Sequence, residues 1–424
     1  MLNDEIITID TGQLQVGVYV FIDLGWMDHP FSLNCFKIKS EDQIGVIREL
    51  GIKQIRYCPA KSDASPISMT PEKVEPEKPK PTTTIISPEI KAMLLEKEAR
   101  KKQLEQHREK VNECQKTIAN AAKVMRSINT DIYSRPQACM EAANQMMDGF
   151  LQILMNGNTT VLFTLNDTHA GEEIYIHSVN VSVLATLMAK ELKFPPEVIK
   201  LIGMGCLFHD IGKLEIPSKV TKKRDALNPA EQSLLQQHPI YGGKIALNAK
   251  LDPAALAIVT QHHEYCDGSG YPQRLKENEI SPLAQLVAII NLYDNLCNPL
   301  NSANALTPHE ALSILFAKYR DKFNAKMLQA FIRYMGIYPP GSIVGLSNGT
   351  IGIIVSISSG KALRPTLLVY DPDVPKEEAS LLDLQTLPEV NISKAIRPAL
   401  LEPEIFSYLS PKKRVTYFFD TTKE

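Results

Sequence analysis

The chain has 424 residues, 44% of them hydrophobic and 22% charged, with a formal net charge of −2. That balance is globular, long enough for two to four domains, and excludes a strongly basic nucleic-acid-binding surface. The seven Cys are scattered without a Cys-x-x-Cys pair, which suits reduced thiols better than a disulfide framework. The start, Met1-Leu2-Asn3-Asp4-Glu5, has no basic segment or apolar signal core. No apolar run reaches the ~18–20 residues of a membrane span. The expected location is cytoplasmic.

Residues 1–58 read as a small α+β domain. Val16 to Ile22 is rich in β-branched and aromatic residues and predicts a strand. Ser40 to Leu50 predicts a short helix capped by Ser40 and ended by Gly51, and Ile52 to Tyr57 a returning strand. Trp26, His29, Pro30 and Phe31 form a loop cluster in which His29, with no other ligand type beside it, reads as a packing residue. Residues 59–88 carry seven Pro among Lys and Glu and read as a linker. Ser87-Pro88 is a helix start, and a charged helix follows over 89–135. Leu104, Val111, Ile118 and Met125 recur every seven residues, with His107, Cys114, Ala121 and Ile128 three later. That seam serves either a homodimer through the 89–130 helix or packing of a long helix on its own domain.

Residues 136–336 are helical in pattern nearly throughout, the main body of a mainly α chain. Val181, Leu184, Leu187 and Met188 mark one helix, Val198, Ile202 and Cys206 the next, and Leu283 to Leu296 another. Residues 337–424 change to a period of two. Ser342 to Leu346, the turn Ser347-Asn348-Gly349 and Ile351 to Val355 predict a hairpin, and Thr366 to Tyr370 a further strand. This small β-rich extension shows no chemistry of its own in the sequence.

The chemistry lies in Leu207-Phe208-His209-Asp210-Ile211-Gly212-Lys213 and in His262-His263-Glu264-Tyr265-Cys266-Asp267-Gly268-Ser269-Gly270-Tyr271-Pro272. Of nine His, five fall between His177 and His263, too concentrated for chance packing residues. Imidazoles beside carboxylates suit Fe, Mn or Zn. Glu173 and His177 are four apart and share a helix face; His209 and Lys213 have the same spacing if the helix runs on past Asp210. His238 follows the polar helix Pro229 to Gln237. His262 and His263, adjacent, point about 100° apart on a helix and can serve different ions. The ligand count suffices for two metals, or three. A paired site suits phosphodiester cleavage, one ion activating water while the other clamps the phosphate. Lys213 either neutralises phosphate charge or is a surface lysine at a helix end.

These motifs resemble the HD-GYP family, a branch of the HD phosphohydrolases, over about 165–345, including Gly336-Ile337-Tyr338-Pro339-Pro340-Gly341. Residues 1–58, with Trp26 and His29-Pro30-Phe31, resemble an uncharacterised domain found ahead of HD-GYP domains. The resemblance implies an HD-type helical bundle that hydrolyses cyclic di-GMP, or a relative such as cyclic GMP-AMP, to linear pGpG and then GMP. It implies two or three divalent ions, Fe or Mn before Zn or Ni. Their ligands would be His177, His209, Asp210, His238, His262 and His263, with Asp210 bridging and Glu173 matching the extra carboxylate of trinuclear members. Asp210 and Lys213 would be catalytic, Lys213 also near the metal-bound phosphate. Asp267, Gly270, Tyr271 and Pro272 would shape the substrate pocket, in a loop linked in the family to diguanylate cyclase partners.

Two departures stand out. The family's metal-binding Asp, 29 residues after His262, is here Asn291, with Asp294 matching the second Asp of that stretch as an outer-shell or substrate-side group. The family's Arg-Pro-Tyr-Arg run is Asn298-Pro299-Leu300-Asn301, so two cations near the substrate phosphates are missing. These changes leave a second expectation open: a degenerate receptor or scaffold that binds a nucleotide or a diguanylate cyclase without turnover.

Overall fold

The computed structural model describes residues 6–24, 29–31, 34–67, 88–155, 158–164, 172–358, 360–372, 374–410 and 415–422. Trp26 and most of the Pro-rich stretch lie outside the described residues. Two units emerge, one of residues 1–106 with 370–380, the other of 107–369 with 381–424.

The first unit is a four-stranded antiparallel sheet with one short helix. Strands β1 (Ile7–Asp10), β2 (Tyr19–Phe21), β3 (Cys35–Lys37) and β4 (Gln54–Tyr57) lie in the order β1-β4-β2-β3, and helix α1 (Glu41–Glu49) covers the sheet. Ser40 caps α1 by accepting the Gln43 N–H, as its position predicts. Val18, Val20, Ile38, Ile44, Ile47 and Ile55 form the core. Residues 59–67 fold back on this sheet, with Asp63 N–H donating to Gly17 O and Ile67 N–H to Gln13 O. His29 is fully buried against Phe31, a packing position.

Helix α2 (Pro88–Asp131) starts at the Pro that the sequence marks. In the second unit its seam residues Cys114, Ile118, Ala121, Met125 and Ile128 are buried within the one chain. Helix α3 (Pro136–Met155) follows, then β5 (Asn158–Thr164), a strand inside a region whose pattern reads as helical. The helical body comprises α4 (Glu173–Glu191), α5 (Pro196–Phe208), α6 (Ser218–Thr221), α7 (Pro229–Leu235), α8 (His238–Asn248), α9 (Pro253–Gln261), α10 (Pro282–Cys297), α11 (Pro308–Lys318) and α12 (Ala325–Met335). Helix α4 is buried from Ser178 to Ala189 on every face, and α10 from Ala284 to Asn291. All-round burial makes them the axis of the bundle, with α5 and α9 packed beside them.

The C-terminal part holds β6 (Ile343–Leu346), β7 (Ile351–Ser358), β8 (Thr366–Val369), β9 (Leu381–Asp383), β10 (Ile392–Ile396), α13 (Pro403–Leu409) and β11 (Thr416–Thr422). The β6–β7 hairpin forms at the predicted turn, where Gly349 takes φ +87°. The sheet order β10-β6-β7-β5-β11, with β8 paired to β7 and β9 to β8, draws the early strand β5 and the last strand β11 together over seven residue pairs. Strand β11 also packs on α3 and α4. Val415, just ahead of the strand, and its first residues Thr416 to Phe418 are buried and therefore belong to the bundle core.

Candidate metal centre

Four helix ends and one helix face bring the sequence-selected residues together. His177 lies one turn into α4, His209 and Asp210 just past α5, His238 at the first position of α8, His262 and His263 just past α9, and Asn291 and Asp294 on α10. Helix α5 stops at Phe208, and residues Ile211–Glu215 form a 3₁₀ turn. The condition on which His209 and Lys213 would share a helix face, a helix running on past Asp210, is thus not met. Lys213 reaches back by the tighter i,i+3 spacing, with Nζ 2.5 Å from Asp210 Oδ2. The turn packs against α8 only because residue 212 is Gly: a Cβ there would lie 1.9 Å from His238 O and 2.3 Å from Gly242 N.

Each inner imidazole is fixed through its outer nitrogen. His209 Nδ1 lies 2.6 Å from Cys206 O, His238 Nδ1 2.7 Å from Leu235 O, and His262 Nδ1 3.0 Å from Val259 O. A carbonyl only accepts, so Nδ1 carries the proton and Nε2 keeps a lone pair. His177 follows the same rule toward a carboxylate, with Nδ1 2.6 Å from Asp294 Oδ2. The bare Nε2 atoms then face one another, His177 to His209 at 3.2 Å and His238 to His262 at 3.1 Å. No proton is left to bridge either pair. Asp210 divides its oxygens between them. Oδ2 is 3.5 Å from His209 Nε2 and 3.8 Å from His177 Nε2, while Oδ1 is 3.2 Å from His238 Nε2 and 3.8 Å from His262 Nε2. Asp210 is buried, and its Oδ1 accepts no well-formed hydrogen bond. Four facing imidazole lone pairs and a buried carboxylate oxygen that receives no donor are electrostatically incomplete, and a cation supplies what they lack.

The donors fall into two groups that share Asp210: His177, His209 and Asp210, and Asp210, His238, His262 and His263. This His/Asp cluster can hold divalent metal. Burial pushes the His209 imidazole down to about 4 and those of His262 and His263 well below the usual range. All three are therefore neutral near pH 7, the form that ligates. Burial alone would raise the Asp210 carboxyl, but the Lys213 ammonium beside it holds it well below the ordinary carboxylate range.

The remaining predicted residues are placed as follows. Asn291 is buried on α10, with Oδ1 3.1 Å from His177 Nε2 and accepting from Asn295 Nδ2 at 2.9 Å. Glu173 begins α4 one turn before His177 and lies outside both donor groups. Asp267 is exposed and also outside them; its Oδ1 accepts from Ser269 N and Oγ and shapes the loop. Gly270 lets that loop fold onto the 263–265 backbone, since a Cβ there would lie 2.4 Å from Tyr265 N. The Tyr271 ring then stacks on His263 with centroids 4.4 Å apart, ahead of a cis bond to Pro272.

Three residues have a part here that was not read from the sequence, where Glu264 and Asn298 stand only as members of their motifs and Asn180 is not named. Glu264, 2% exposed, accepts Gln273 N–H with Oε1 at 2.6 Å and Leu275 N–H with Oε2 at 3.0 Å, which pins the loop. A Glu directly after the His pair was the available signal. Asn180 and Asn298 both donate to Asp294 Oδ1. For Asn180 the signal was an amide amid the apolar residues of α4.

The bundle and its shared-carboxylate centre are those of an HD-domain protein, and the matches that follow fit the HD-GYP family. Residues 152–327 match the HD domain family, and residues 6–143 match a domain of unknown function, DUF3391. The chain is 27% identical over 368 residues to the cyclic di-GMP phosphodiesterase PA4108 of Pseudomonas aeruginosa, covering 85% of this chain and 84% of that protein. It is 32% identical over 156 residues to the cyclic di-GMP phosphodiesterase response regulator RpfG of Xanthomonas campestris pv. campestris, covering 36% of this chain and 41% of that protein. Among solved structures, Bd1817, an HDG"Y"P protein from Bdellovibrio bacteriovorus, aligns at 17% identity and TM-score 0.40, over 77% of this chain and 98% of that one.

Proposed function

We propose that this protein is a metal-dependent phosphodiesterase that hydrolyses cyclic di-GMP to linear pGpG. The observation that carries the reading is the pair of donor groups that share Asp210, in which His177, His209, His238 and His262 turn unprotonated Nε2 atoms inward. The relatives named as cyclic di-GMP phosphodiesterases support the substrate. The nitrogen and carboxylate donors favour Fe or Mn, with Zn and Ni as alternatives. Bound divalent ions would supply positive charge to the phosphate and ready a water for attack.

The protein's own residues divide the remaining work. His177, His209, His238, His262 and His263 are the nitrogen ligands in this reading, and Asp210 links the two groups. Asn291 stands as a neutral ligand beside His177. Glu173, a turn earlier on the same helix, is the carboxylate that would serve a third ion. Lys213 keeps Asp210 ionised and places a cation where a dianionic substrate approaches. Asp294 orients His177 through Nδ1. Tyr271, held on His263, offers an aromatic wall for a guanine base, with Gly270 and Pro272 setting the loop. The seven cysteines, none of them in a disulfide, favour a reducing, cytoplasmic setting. Among the described residues no helix is long and apolar enough to cross a membrane. A diguanylate cyclase domain at the exposed Asp267 loop is retained as a partner. Burial of Ile118, Met125 and Ile128 within one chain argues against dimerisation through that seam.

A second reading, a receptor without turnover, has one specific observation in its favour. Asn298, at the head of the run that lacks the family's arginines, is occupied by Asp294 and Val415 and brings no positive charge to a substrate. The test is cyclic di-GMP hydrolysis by anaerobically prepared protein with added Fe²⁺ or Mn²⁺, products separated by chromatography. Turnover that vanishes in a His209→Ala/Asp210→Ala variant supports the phosphodiesterase. Metal-loaded protein that binds the dinucleotide and leaves it intact favours the receptor.

A further inference from the structure

We infer that the C-terminal strand β11 positions His177 and so controls metal binding at the His177, His209 and Asp210 group. The inference rests on the metal-centre reading above and concerns a segment in which the sequence shows no chemistry. The chain of contacts is short. Asp294 Oδ2 receives His177 Nδ1 at 2.6 Å, which leaves His177 Nε2 unprotonated toward His209. Asp294 Oδ1 accepts two amide donors, Asn180 Nδ2 and, at 2.9 Å, Asn298 Nδ2.

An Asn side chain turns either its oxygen or its NH₂ toward a neighbour, and only the NH₂ suits a carboxylate. The backbone of Val415, just ahead of β11, and of Tyr417 within it makes that choice at the two positions. Val415 N–H donates to Asn298 Oδ1 at 2.8 Å, and Asn298 Nδ2 donates to Val415 O at 2.7 Å. Tyr417 N–H donates to Asn180 Oδ1 at 2.9 Å. With their oxygens held by these backbone N–H groups, both amides must present NH₂ to Asp294. The strand is itself anchored by the Tyr417–Tyr293 hydroxyl pair at 2.7 Å and by full-length pairing with β5. Val415, Tyr417, Asn180 and Asp294 are all buried, so no water replaces a lost partner cheaply. Asn298, in place of the family's first arginine of that run, thus works as a clasp between strand and centre.

Loss of the clasp frees Asp294 to turn and His177 to change tautomer. Outer-shell changes of this kind weaken metal affinity by about 10–100-fold. The other group, Asp210, His238, His262 and His263, has no member in this chain of bonds and keeps its ion. Metal content and affinity of the purified full-length protein provide the test, with His177→Ala and His209→Ala as references. Asn298→Ala and Val415→Pro, which deletes the N–H just ahead of the strand that Asn298 receives, should each lower content toward that of His177→Ala. Val415→Ala, which shortens the side chain and keeps the N–H, should match the wild type. Circular dichroism identifies any variant that fails to fold, and Asn298→Ala, a truncation within an intact helix end, decides if Val415→Pro does. Wild-type affinity in Asn298→Ala, with metal lost in His177→Ala, would overturn the inference and leave the centre standing. Full metal content in His177→Ala and His209→Ala would instead overturn the centre.

Discussion

Replacing Asn291 with Asp tests the least ordinary feature of the centre. Asn291 is 2% exposed and turns Oδ1 toward His177 Nε2 at 3.1 Å, while Asn295 donates to the same oxygen. A carboxylate of the same shape keeps the Asn295 bond and adds one negative charge. Opposite unit charges 4 Å apart attract by about 4 kcal/mol at an effective dielectric of 20, and a divalent ion roughly doubles this. Burying the new carboxylate costs several kcal/mol in return. A net gain on the order of 3 kcal/mol corresponds to roughly 100-fold tighter metal binding. Without metal the sign reverses, because the new charge joins Asp210 and Asp294 in one buried site. The gap in melting temperature between metal-loaded and metal-free protein should therefore widen. Competition against a chromophoric chelator gives the affinity. Equal or weaker binding in Asn291→Asp would refute a ligand role for Asn291.

Other outcomes follow from the same geometry. Gly212→Ala forces a Cβ against two backbone atoms, His238 O and Gly242 N. Overpacking of that kind costs about 3 kcal/mol, and urea unfolding should register the loss; unchanged stability would mean that the turn relaxes freely. Glu264→Gln keeps one acceptor oxygen and strands the Gln273 or Leu275 N–H, at a cost of about 1–3 kcal/mol. Its expected signature is a raised KM with metal content unchanged, and loss of metal instead would place Glu264 in the centre itself. In metal-free protein, burial holds His209 at about 4 against the ~6.5 of an unfolded chain. Its neutral form therefore stabilises the fold fully above about pH 6.5, and that contribution disappears as pH falls from 6.5 through 4. Denaturant midpoints at pH 7.5 and pH 5 should show the drop, and a higher midpoint at pH 5 would contradict it. Metal removal by chelator should lower stability by about 3 kcal/mol where free metal had stood 100-fold above its dissociation constant.

Much of the centre is written in local sequence. His209-Asp210, His262-His263 and the isolated His177 and His238 are legible because metal ligation needs particular side chains, and a short motif fixes their spacing on helix ends. Ser40, Pro88 and Ser347-Asn348-Gly349 are legible for a similar reason: caps and turns depend on one or two residues. The α+β start, the helical bundle and the period-two tail follow from hydrophobic periodicity, which also fixes the mainly α class. The tertiary structure decided what depends on distant partners. Strand β5 interrupts the helical stretch because β7 and β11 pair with it from far along the chain, and propensity does not carry that information. Lys213 meets Asp210 through a 3₁₀ turn rather than a continued helix, a choice made by packing against α8 at Gly212. Asn180, Asn298, Asp294 and Val415 span most of the second unit, and only the folded chain shows that they form one hydrogen-bonded path to His177. An amide's orientation is set by whatever backbone lies across from it, and that is known only once the last strand is in place.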